Sequence, residues 1–310
     1  MTVTLLDIAR STGDDGIAAL IEENIKYVPE VAFVPARTIK GSQYKATIRT
    51  TLPTAAFRNA NEGAATVQSR YENRTYDCYI TDTPWMVDKA VADIHEDGPA
   101  AFIGTEANAI VKAQEILLGQ QMWYGNPATS GAYKSDGKGF PGLLQMFDTS
   151  KVVDAGGSTA DTGSSVWAVT YGEEGLQWLY GNDSNPLQLT DVKTVVVNDS
   201  NNNPITKYHQ QLLAWVGFRL GSLNGAARIK KLTADSGKGL TDLLLADLID
   251  CFPIGYRPDA LFMTKRSRTQ LKKSRTPTNV KGDPVPTPTE YEGIPIIVTD
   301  SLFNTEALTL

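Results

Sequence analysis

The stretch RTTLPTAAFRNANEGAATVQSRYENRTYDCYIT, residues 49–81, contains two strand-like runs joined by a turn rich in Pro, Asn and Gly. In the second run Tyr76, Cys78 and Ile80 form an apolar face, but earlier positions of the same alternation carry polar side chains. An isolated two-stranded hairpin is marginally stable in water and needs a further partner. The stretch therefore predicts a hairpin that either lies on its own domain or reaches another chain.

The predicted hairpin is long. Its first strand is SQYKATIRT, residues 42–50, its tip extends from Pro53 to Ala65, and its second strand covers residues 66–81. At about 3.3 Å per residue, that second strand would reach roughly 50 Å. An exposed strand edge readily pairs with another chain. If the hairpin reaches another chain, its candidate intersubunit contacts are six charged positions: Arg49, Arg58, Glu62, Arg70, Glu72 and Arg74.

The segments on either side of the hairpin predict an arm and a long helix. Residues 5–27 are predicted to form two short amphipathic helices, and the run VPEVAFVPAR that follows is predicted to be extended. After the hairpin, residues 84–95 are predicted as a short helix. A longer helix is predicted from its cap Asp97 to Trp123, about 40 Å at 1.5 Å per residue. Its core-facing stripe is Ile103, Ala107, Ile110, Gln114, Leu117 and Gln121, with Val111, Leu118 and Met122 beside it.

The rest of the chain mixes strands and helices. Residues 126–163 are Gly-rich and predict a loop with one short apolar element, whereas residues 165–232 predict a sheet of short strands separated by Gly and Asn. Four further elements are predicted: a helix TDLLLADLIDCF capped by Thr241, a strand RPDALFMT, a basic helix KRSRTQLKKSR and a last strand GIPIIVTDS. The sequence therefore predicts an α+β protein.

Composition limits the function classes. The chain has 310 residues, of which 41% are hydrophobic, and its net charge of −6 does not support a general affinity for nucleic-acid phosphates. No apolar run approaches the roughly 20 residues of a membrane span, and the N-terminus lacks a secretory pattern, so we expect a soluble protein made in a cytoplasm. Cys78 and Cys251 are expected to be reduced and buried.

The sequence offers little for catalysis. His95 and His209 are its only histidines, which excludes a multi-histidine metal site. The patterns GxSxG, GxxxxGK[ST] and GxGxxG after a strand do not occur, and the acidic pairs are explained by caps and solvated faces. We therefore expect no catalytic centre, no metal and no cofactor. A soluble hydrolase that uses the Gly-rich loop and scattered acids remains the alternative from another class.

The strongest local charge feature is the basic helix. Its six cations could face nucleic acid, but no aromatic residue interleaves with them for base stacking. We expect a solvated or intersubunit face rather than a DNA-binding one. The cations are Lys265, Arg266, Arg268, Lys272, Lys273 and Arg275.

The order of these blocks carries a resemblance. The stretches LPTAAFRNANEG, TGSSVWAVTYGEEGLQWLYG, GAARIKKLT, RPDALFMTKRSRTQL and YEGIPIIVTDS resemble sequences of tailed-bacteriophage major capsid proteins, and together they span most of the chain. The resemblance implies the capsid fold of tailed phages, herpesvirus shells and encapsulins. It also implies a permuted strand order, because in much of the family the blocks like PDALFMTKRSRTQL and GIPIIVTDS precede the long sheet strands.

The same resemblance implies a division of the chain into parts. Residues 1–35 would be an N-terminal arm, residues 36–82 an extended loop, and residues 83–135 a peripheral domain with a long spine helix. Residues 136–164 would be a loop and the start of the axial domain. Residues 165–232 would form the peripheral-domain sheet, and residues 233–310 the axial domain.

The implied function is structural. The chain would assemble through pentamers and hexamers into the icosahedral shell of a tailed phage, in the host bacterial cytoplasm, and become part of the virion. The shell would enclose double-stranded DNA without sequence-specific binding, with portal, scaffolding or decoration proteins as further partners and no membrane. An encapsulin-like compartment shell is the alternative that keeps the fold.

Overall fold

The computed structural model describes residues 26–126, 136–183, 187–275 and 286–309. Within these ranges the helices are α1 (Glu30–Phe33), α2 (Lys89–Ala92), α3 (Gly98–Tyr124), α4 (Leu143–Met146), α5 (Asp242–Asp250) and α6 (Lys265–Arg275). The strands are β1 (Ala36–Thr38), β2 (Gln43–Thr51), β3 (Arg70–Asp77), β4 (Tyr79–Asp88), β5 (Val152–Asp154), β6 (Val166–Val169), β7 (Leu176–Tyr180), β8 (Leu187–Leu189), β9 (Lys193–Asn198), β10 (Pro204–Leu220), β11 (Ala226–Lys230), β12 (Ala260–Met263), β13 (Glu290–Tyr291) and β14 (Ile294–Val298).

The first sheet is organised around β10. The strand order is β1-β7-β10-β4, and β8 and β9 also pair with β10. The strand β10 has 17 residues, long enough to pair antiparallel with β9 and β4 along its first part and with β7 at its end. A turn at residues 199–203 joins β9 to β10, so this hairpin follows the predicted Asn-rich turn. The strand β4 lies at the edge of this sheet.

The second sheet is buried on both faces. Its order is β13-β14-β12-β6-β11-β5. Because side chains alternate across a strand, Trp167 and Val169 of β6 face one apolar cluster while Val166 and Ala168 face another. The helix α5, which contributes Leu245 and Leu248, covers the second of these faces. Strands covered on both faces are continuous apolar runs, which explains the sequences VWAV and ALFM.

An aromatic cluster joins the two sheets to the end of α3. The Trp123 ring lies 5.8 Å from that of Trp167 and 5.3 Å from that of Phe262, measured between ring centroids. The ring of Trp178, on the first sheet, lies 5.3 Å from that of Phe218. Aromatic rings at these separations add to the stabilisation from burial. The core therefore lies where α3 ends between the sheets.

Burial along α3 is uneven. The last six residues of the helix, Gly119–Tyr124, are all buried, whereas most of its first two turns are exposed or half-buried. The helix has 27 residues and thus a length of about 40 Å. Asp97 occupies the N-cap position, as predicted, but its side chain makes no capping hydrogen bond. The C-terminal end of the helix therefore lies in the main core, whereas near its other end Phe102 packs in a smaller cluster with Val87 and Ala92.

The segment after β14 is tied to the core through Glu306. Its carboxylate accepts hydrogen bonds from Ser165 (2.5 Å) and from the Tyr124 hydroxyl, and it pairs with Arg228 at 3.1 Å. Both partners of the ion pair are almost fully buried, with side-chain exposures of 3% and 2%. Burial raises the pKa of the Tyr124 hydroxyl well above its ordinary value, so this group remains a hydrogen-bond donor.

A second buried carboxyl fixes the segment before the hairpin. Glu30 of α1 accepts hydrogen bonds from the indole of Trp123 (2.7 Å) and the hydroxyl of Thr299 (2.5 Å). Its other oxygen, Oε2, is buried without a partner among the described residues. Burial raises the pKa of Glu30 above its ordinary value, because the charged form is poorly solvated there.

Several sequence predictions differ from the structure. The run VPEVAFVPAR contains the one-turn helix α1 rather than extended chain alone. The predicted helix 84–95 is wrong over its first half, because β4 continues to Asp88 and only Lys89–Ala92 is helical. The predicted single strand 66–81 ends at Asp77, and a separate strand begins at Tyr79. The two helices predicted within residues 5–27 lie almost entirely outside the described residues.

Other predictions are confirmed. Mixed helix and sheet, the long helix, the helix capped by Thr241, the strand ALFM, the basic helix and the last strand all form. The Gly-rich region contains the predicted short element, α4, and also the short strand β5. The prediction of a single sheet for residues 165–232 is wrong, because these strands divide between the two sheets, with β6 and β11 in the second.

Candidate intersubunit surface

The hairpin of β2 and β3 projects from the body of the subunit as a two-stranded sheet of its own. Its strands pair antiparallel from Gln43 opposite Asp77 to Thr51 opposite Arg70. The chain leaves this sheet at Cys78, whose backbone amide donates to the carbonyl of Ser42 at 2.8 Å. One residue later the chain enters β4, which pairs with β10 instead.

A glycine permits the crossing at Cys78. A Cβ atom on Gly217 of β10 would lie only 2.7 Å from the carbonyl oxygen of Asp77, so a side chain there would push the hairpin away from the sheet. The Cys78 thiol lies 3.7 Å from the carbonyl oxygen of Leu179. Burial raises the pKa of the Cys78 thiol to about 11, which keeps it protonated. Both Cys78 and Cys251 are free thiols, and each is half-buried rather than fully buried.

The root of the hairpin is held by the cross-strand pair Tyr44 and Tyr76. The guanidinium carbons of Arg37 and Arg219 lie 5.0 Å and 4.8 Å from the centre of the Tyr44 ring. The hydroxyl of Tyr76 donates to the carbonyl of Leu220 at 2.7 Å. Cation–π contacts of a desolvated Arg are among the stronger ones.

The two arginines are themselves fixed by the body of the subunit. Arg219 is 2% exposed and donates to the side chain of Gln177 at 3.0 Å and to the carbonyl of Glu173 at 3.1 Å. Arg37 pairs with the carboxylate of Glu173 at 2.8 Å. The position of the hairpin is therefore set at its root by groups that do not depend on another subunit.

Beyond the root, side-chain hydrogen bonds join β2 to β3, and one ion pair lies within β3. Arg49 donates to the Tyr71 hydroxyl at 3.2 Å, and its guanidinium lies 5.4 Å from the centre of that ring. This bond lowers the pKa of Tyr71. Thr47 donates to Asn73 at 2.9 Å, and Arg74 lies 3.6 Å from Glu72. These exposed pairs stabilise the hairpin only weakly.

Residues 52–69, which include the tip, contain no strand, and the tip is held by a local turn. Arg58 donates to the carbonyl of Glu62 at 2.6 Å, and the Glu62 carboxylate accepts from the side-chain amide of Asn59 at 2.9 Å. Asn61 has a φ of 66°, a left-handed conformation that Asn tolerates better than most residues. The tip therefore has a defined turn without packing against the described body.

The six charged residues predicted as contact candidates all lie on this hairpin. Five are exposed, and Arg74 is half-buried near the root. Arg58 and Glu62 stabilise the turn at the tip, and Arg49 bonds across the two strands. Glu72 and Arg74 pair with each other, and the side chain of Arg70 is exposed on β3. The structure thus places all six on one projection.

The prediction from charge overlooked the apolar residues of the outer hairpin. Phe57 is fully exposed, and Leu52 and Val67 are 68% and 52% exposed. Large apolar side chains on a projection are unfavourable in water unless another surface covers them. The signal available in the sequence was the presence of Leu and Phe inside a turn-rich segment.

The described residues contain little that would support a different kind of site. No group of three or more potential metal ligands occurs among them. No helix in the described part has the length and apolarity that crossing a membrane requires. His95 accepts a hydrogen bond from the backbone amide of Asp97 at 3.3 Å, a local role at the start of α3.

Comparison with known proteins gives the family. The model of the family "Major capsid protein GP7" matches residues 14–309. The chain belongs to this family. It is therefore a shell-forming subunit of a phage capsid and a component of the virion, as its sequence predicted. No curated protein matches the sequence.

Solved structures show the same fold. A chain in the cryo-EM structure of bacteriophage Epsilon15 is 18% identical, with a TM-score of 0.75, and the match covers 99% of this chain and 97% of that one. A second match is the SrpI encapsulin of Synechococcus elongatus PCC 7942, which is 9% identical with a TM-score of 0.50, covering 73% of this chain and 94% of that one. The predicted phage capsid fold is confirmed.

These findings also rank the alternatives. The encapsulin shares the fold over a smaller part of the chain and with a lower TM-score than the phage structure, so the compartment-shell alternative is the weaker one. The family is a structural one, which does not favour the alternative of a soluble hydrolase.

Proposed function

We propose that the β2–β3 hairpin is the element by which one capsid subunit holds the next. The observation that carries this proposal is the exposure of Phe57, Leu52 and Val67 on a projection whose polar bonds are internal. Covering these apolar groups on a neighbour would stabilise the contact by about 25 cal/mol for each Å² removed from water. The charged residues Arg49, Arg58, Glu62, Arg70, Glu72 and Arg74 would form the polar rim of that contact.

The geometry of such a contact favours closed rings. A hairpin that reaches from one subunit to a different surface of the next makes a head-to-tail contact, which closes into a ring when the rotation permits. Pentamers and hexamers built in this way would assemble into an icosahedral shell in the host bacterial cytoplasm. In this proposal residues 36–82 are the extended loop, α3 is the spine helix of the peripheral domain, and residues 233–310 belong to the axial domain.

The shell would enclose double-stranded DNA without reading its sequence, and portal, scaffolding or decoration proteins would be its further partners. We assign no catalytic residue, cofactor or metal to the chain. The shell is held together by contacts between subunits. These contacts require no general affinity for phosphates, which agrees with the net charge of −6.

The test removes the tip and keeps the root. Replacing Pro53–Ala65 by a short Gly and Ser linker retains the Tyr44 and Tyr76 contacts, so the subunit should fold with an unchanged circular dichroism spectrum and melting temperature. Sedimentation should then show subunits or small oligomers instead of shells. A matched control replaces residues 200–202 of the β9–β10 turn by Gly and Ser and should still assemble. Normal shells from the tip variant, or its unfolding, would contradict the proposal.

A further inference from the structure

A cationic cleft lies along α6, outside the hairpin. It has a volume of about 770 Å³ and is lined by α6 and by the loop that precedes α5. Lys265, Thr269 and Lys273 follow at intervals of four residues, are all exposed and all line the cleft. Residues at this spacing share one helix face, so the two lysines border a stripe about 12 Å long.

Arg266 adds a third cation to the cleft, and no carboxylate of the described residues pairs with it. Its guanidinium donates to three backbone carbonyls, those of Thr162 (2.7 Å), Leu232 (3.0 Å) and Asn304 (3.3 Å). Burial lowers the pKa of Arg266 from its ordinary value, and the carboxylate that opposes this shift, Glu306, is already paired with Arg228. The positive charge of Arg266 is thus held in place without being neutralised.

The lysines are similarly unneutralised. Among the described residues, neither Lys265 nor Lys273 forms an ion pair, whereas Arg275 at the end of the same helix pairs with Asp242 at 2.6 Å. The acid at the rim of the cleft is Asp235. Its carboxylate accepts from the hydroxyls of Thr159 (2.7 Å) and Thr233 (2.8 Å), which fixes it in the loop. The cleft therefore presents three cations against one engaged carboxylate.

The N-terminal part of the sequence has the opposite charge. Residues 1–25 contain one basic residue, Arg10, and five acidic ones: Asp7, Asp14, Asp15, Glu22 and Glu23. The segment joins the described structure beside Tyr27, whose amide donates to the Asp300 carboxylate at 2.9 Å and whose carbonyl accepts from the Asp300 amide at 3.0 Å.

The distance to the cleft is short. Asn304, which lines the cleft, follows Asp300 by four residues, and four extended residues span at most about 14 Å. A segment of 26 residues could extend roughly 85 Å, so it can reach the lysines with ample slack.

We propose that the cleft along α6 binds the acidic N-terminal segment of its own chain, with carboxylates of that segment opposite Lys265 and Lys273. Nucleic-acid phosphate is the competing occupant. The residues that line the cleft include no aromatic side chain on which a base could stack, and the chain as a whole is acidic. Charge complementarity and reach favour the N-terminal segment.

The test is zero-length cross-linking with a carbodiimide at low salt, on an equal mixture of nitrogen-15-labelled and unlabelled full-length subunits. Mass spectrometry should find Lys265 and Lys273 linked to Asp14, Asp15, Glu22 or Glu23 within one isotope population. The double variant Lys265→Glu/Lys273→Glu should lose these links, and trypsin should cleave it after Arg10 and Lys26 roughly fivefold faster, as expected for the loss of two exposed ion pairs.

Two further variants make the result decisive. Lys40→Glu/Lys193→Glu removes two exposed lysines elsewhere and should leave both the links and the cleavage rate unchanged. Adding Asp14→Lys/Glu22→Lys to the α6 double variant should restore carbodiimide links between positions 14 or 22 and positions 265 or 273, with the amine and the carboxylate exchanged. The proposal would be overturned if every link joined a labelled subunit to an unlabelled one, or if the α6 double variant were cleaved at the wild-type rate. It would also be overturned if that variant lost binding to duplex DNA without any change in cleavage.

Discussion

The body of the subunit and its hairpin are stabilised in different ways. In the body, the ring of Trp123 lies 5.8 Å from that of Trp167 and 5.3 Å from that of Phe262, and all three are buried. In the outer hairpin, Phe57 is fully exposed, and the polar bonds run between the two strands. The body buries its apolar side chains within its own chain, whereas the described part of the chain leaves those of the outer hairpin exposed.

The boundary between these regions is sharp. It lies at the pair Tyr44 and Tyr76, which contacts Arg219 on one side and the Leu220 carbonyl on the other. Inside this boundary a substitution should change the stability of the isolated subunit, and outside it a substitution should change assembly. Measurements of unfolding free energy at successive distances from the core test this distinction.

The largest effect is expected in the aromatic core. Trp123→Ala removes a fully buried ring and the donor to Glu30, and should lower the free energy of unfolding by about 4–5 kcal/mol. Denaturant unfolding followed by circular dichroism measures this loss. Trp123→Phe retains most of the ring and should lose clearly less. A loss below about 1 kcal/mol for the Ala variant would show that the cluster is not the stabilising core.

A somewhat smaller loss is expected at Glu306. Glu306→Ala leaves the buried Arg228 without its counter-charge and removes the acceptor of Tyr124 and Ser165, which should cost about 3–4 kcal/mol. The matched double variant Glu306→Ala/Arg228→Met should recover part of this loss, because the unpaired charge is gone. Equal stability of the single and double variants would contradict this account.

The third prediction concerns pH. Burial raises the folded-state pKa of Glu30, so the folded protein binds this proton more tightly than the unfolded chain does. Its contribution to stability is therefore most favourable below the unfolded pKa and declines as pH rises through the folded pKa. Glu30→Gln keeps an acceptor for Trp123 and Thr299 and should be more stable than the wild type at pH 7, by about 1 kcal/mol, but equal at pH 4.

The unfolding free energies of the wild type and of Glu30→Gln are measured across pH 4–8. Their difference isolates the contribution of Glu30 from that of the other carboxylates. Glu30→Ala is the matched control, and it should be less stable at every pH because it leaves the Trp123 indole unbonded. A Gln variant with the wild-type pH dependence would show that folding does not change the pKa of Glu30.

A smaller effect is expected at the root of the hairpin. Tyr76→Phe removes the hydrogen bond to the Leu220 carbonyl and should lower the unfolding free energy by about 1 kcal/mol. Amide exchange in residues 43–51 should become faster, since the root is loosened. Tyr71→Phe, farther along the hairpin, should leave the unfolding free energy unchanged. If Tyr71→Phe lowered the unfolding free energy as much as Tyr76→Phe does, the boundary between the body and the outer hairpin would lie beyond Tyr71.

The sequence anticipated much of this arrangement, and its errors have physical causes. The long helix was predictable because the stripe Ile103, Ala107, Ile110, Gln114, Leu117 and Gln121 follows the spacing of one helical face, and Thr241 marked α5 because its hydroxyl accepts from the Leu244 amide. The run PWMVD was misassigned to a helix. It belongs to an edge strand, where Pro84 is tolerated because one side of the strand needs no partner.

The candidate surface was harder to predict than the fold. The alternation of residues 49–81 indicated a polar hairpin, but the break at Cys78 depends on close approach to Gly217, more than a hundred residues later in the chain. Charge drew attention to Arg58 and Glu62, which stabilise their own turn. Which side chains a neighbour covers depends on a surface that is not encoded locally, so Phe57 became visible only through its exposure.

The smallest effect on the subunit is expected at Phe57. Because its ring makes no buried contact in its own chain, Phe57→Ala should change the free energy of unfolding by less than about 0.5 kcal/mol. If a neighbouring subunit covers the ring, the same variant should weaken assembly, raising the subunit concentration needed for shell formation at least about tenfold, as expected when a buried aromatic contact is lost. Leu243→Ala, which removes an exposed apolar group from α5, is the matched control and should affect neither quantity. Light scattering across a concentration series measures assembly beside the unfolding curves. A variant that assembles at the wild-type concentration would mean that the tip is exposed in the shell as well, and the polar contacts of the hairpin would then have to hold the neighbour alone.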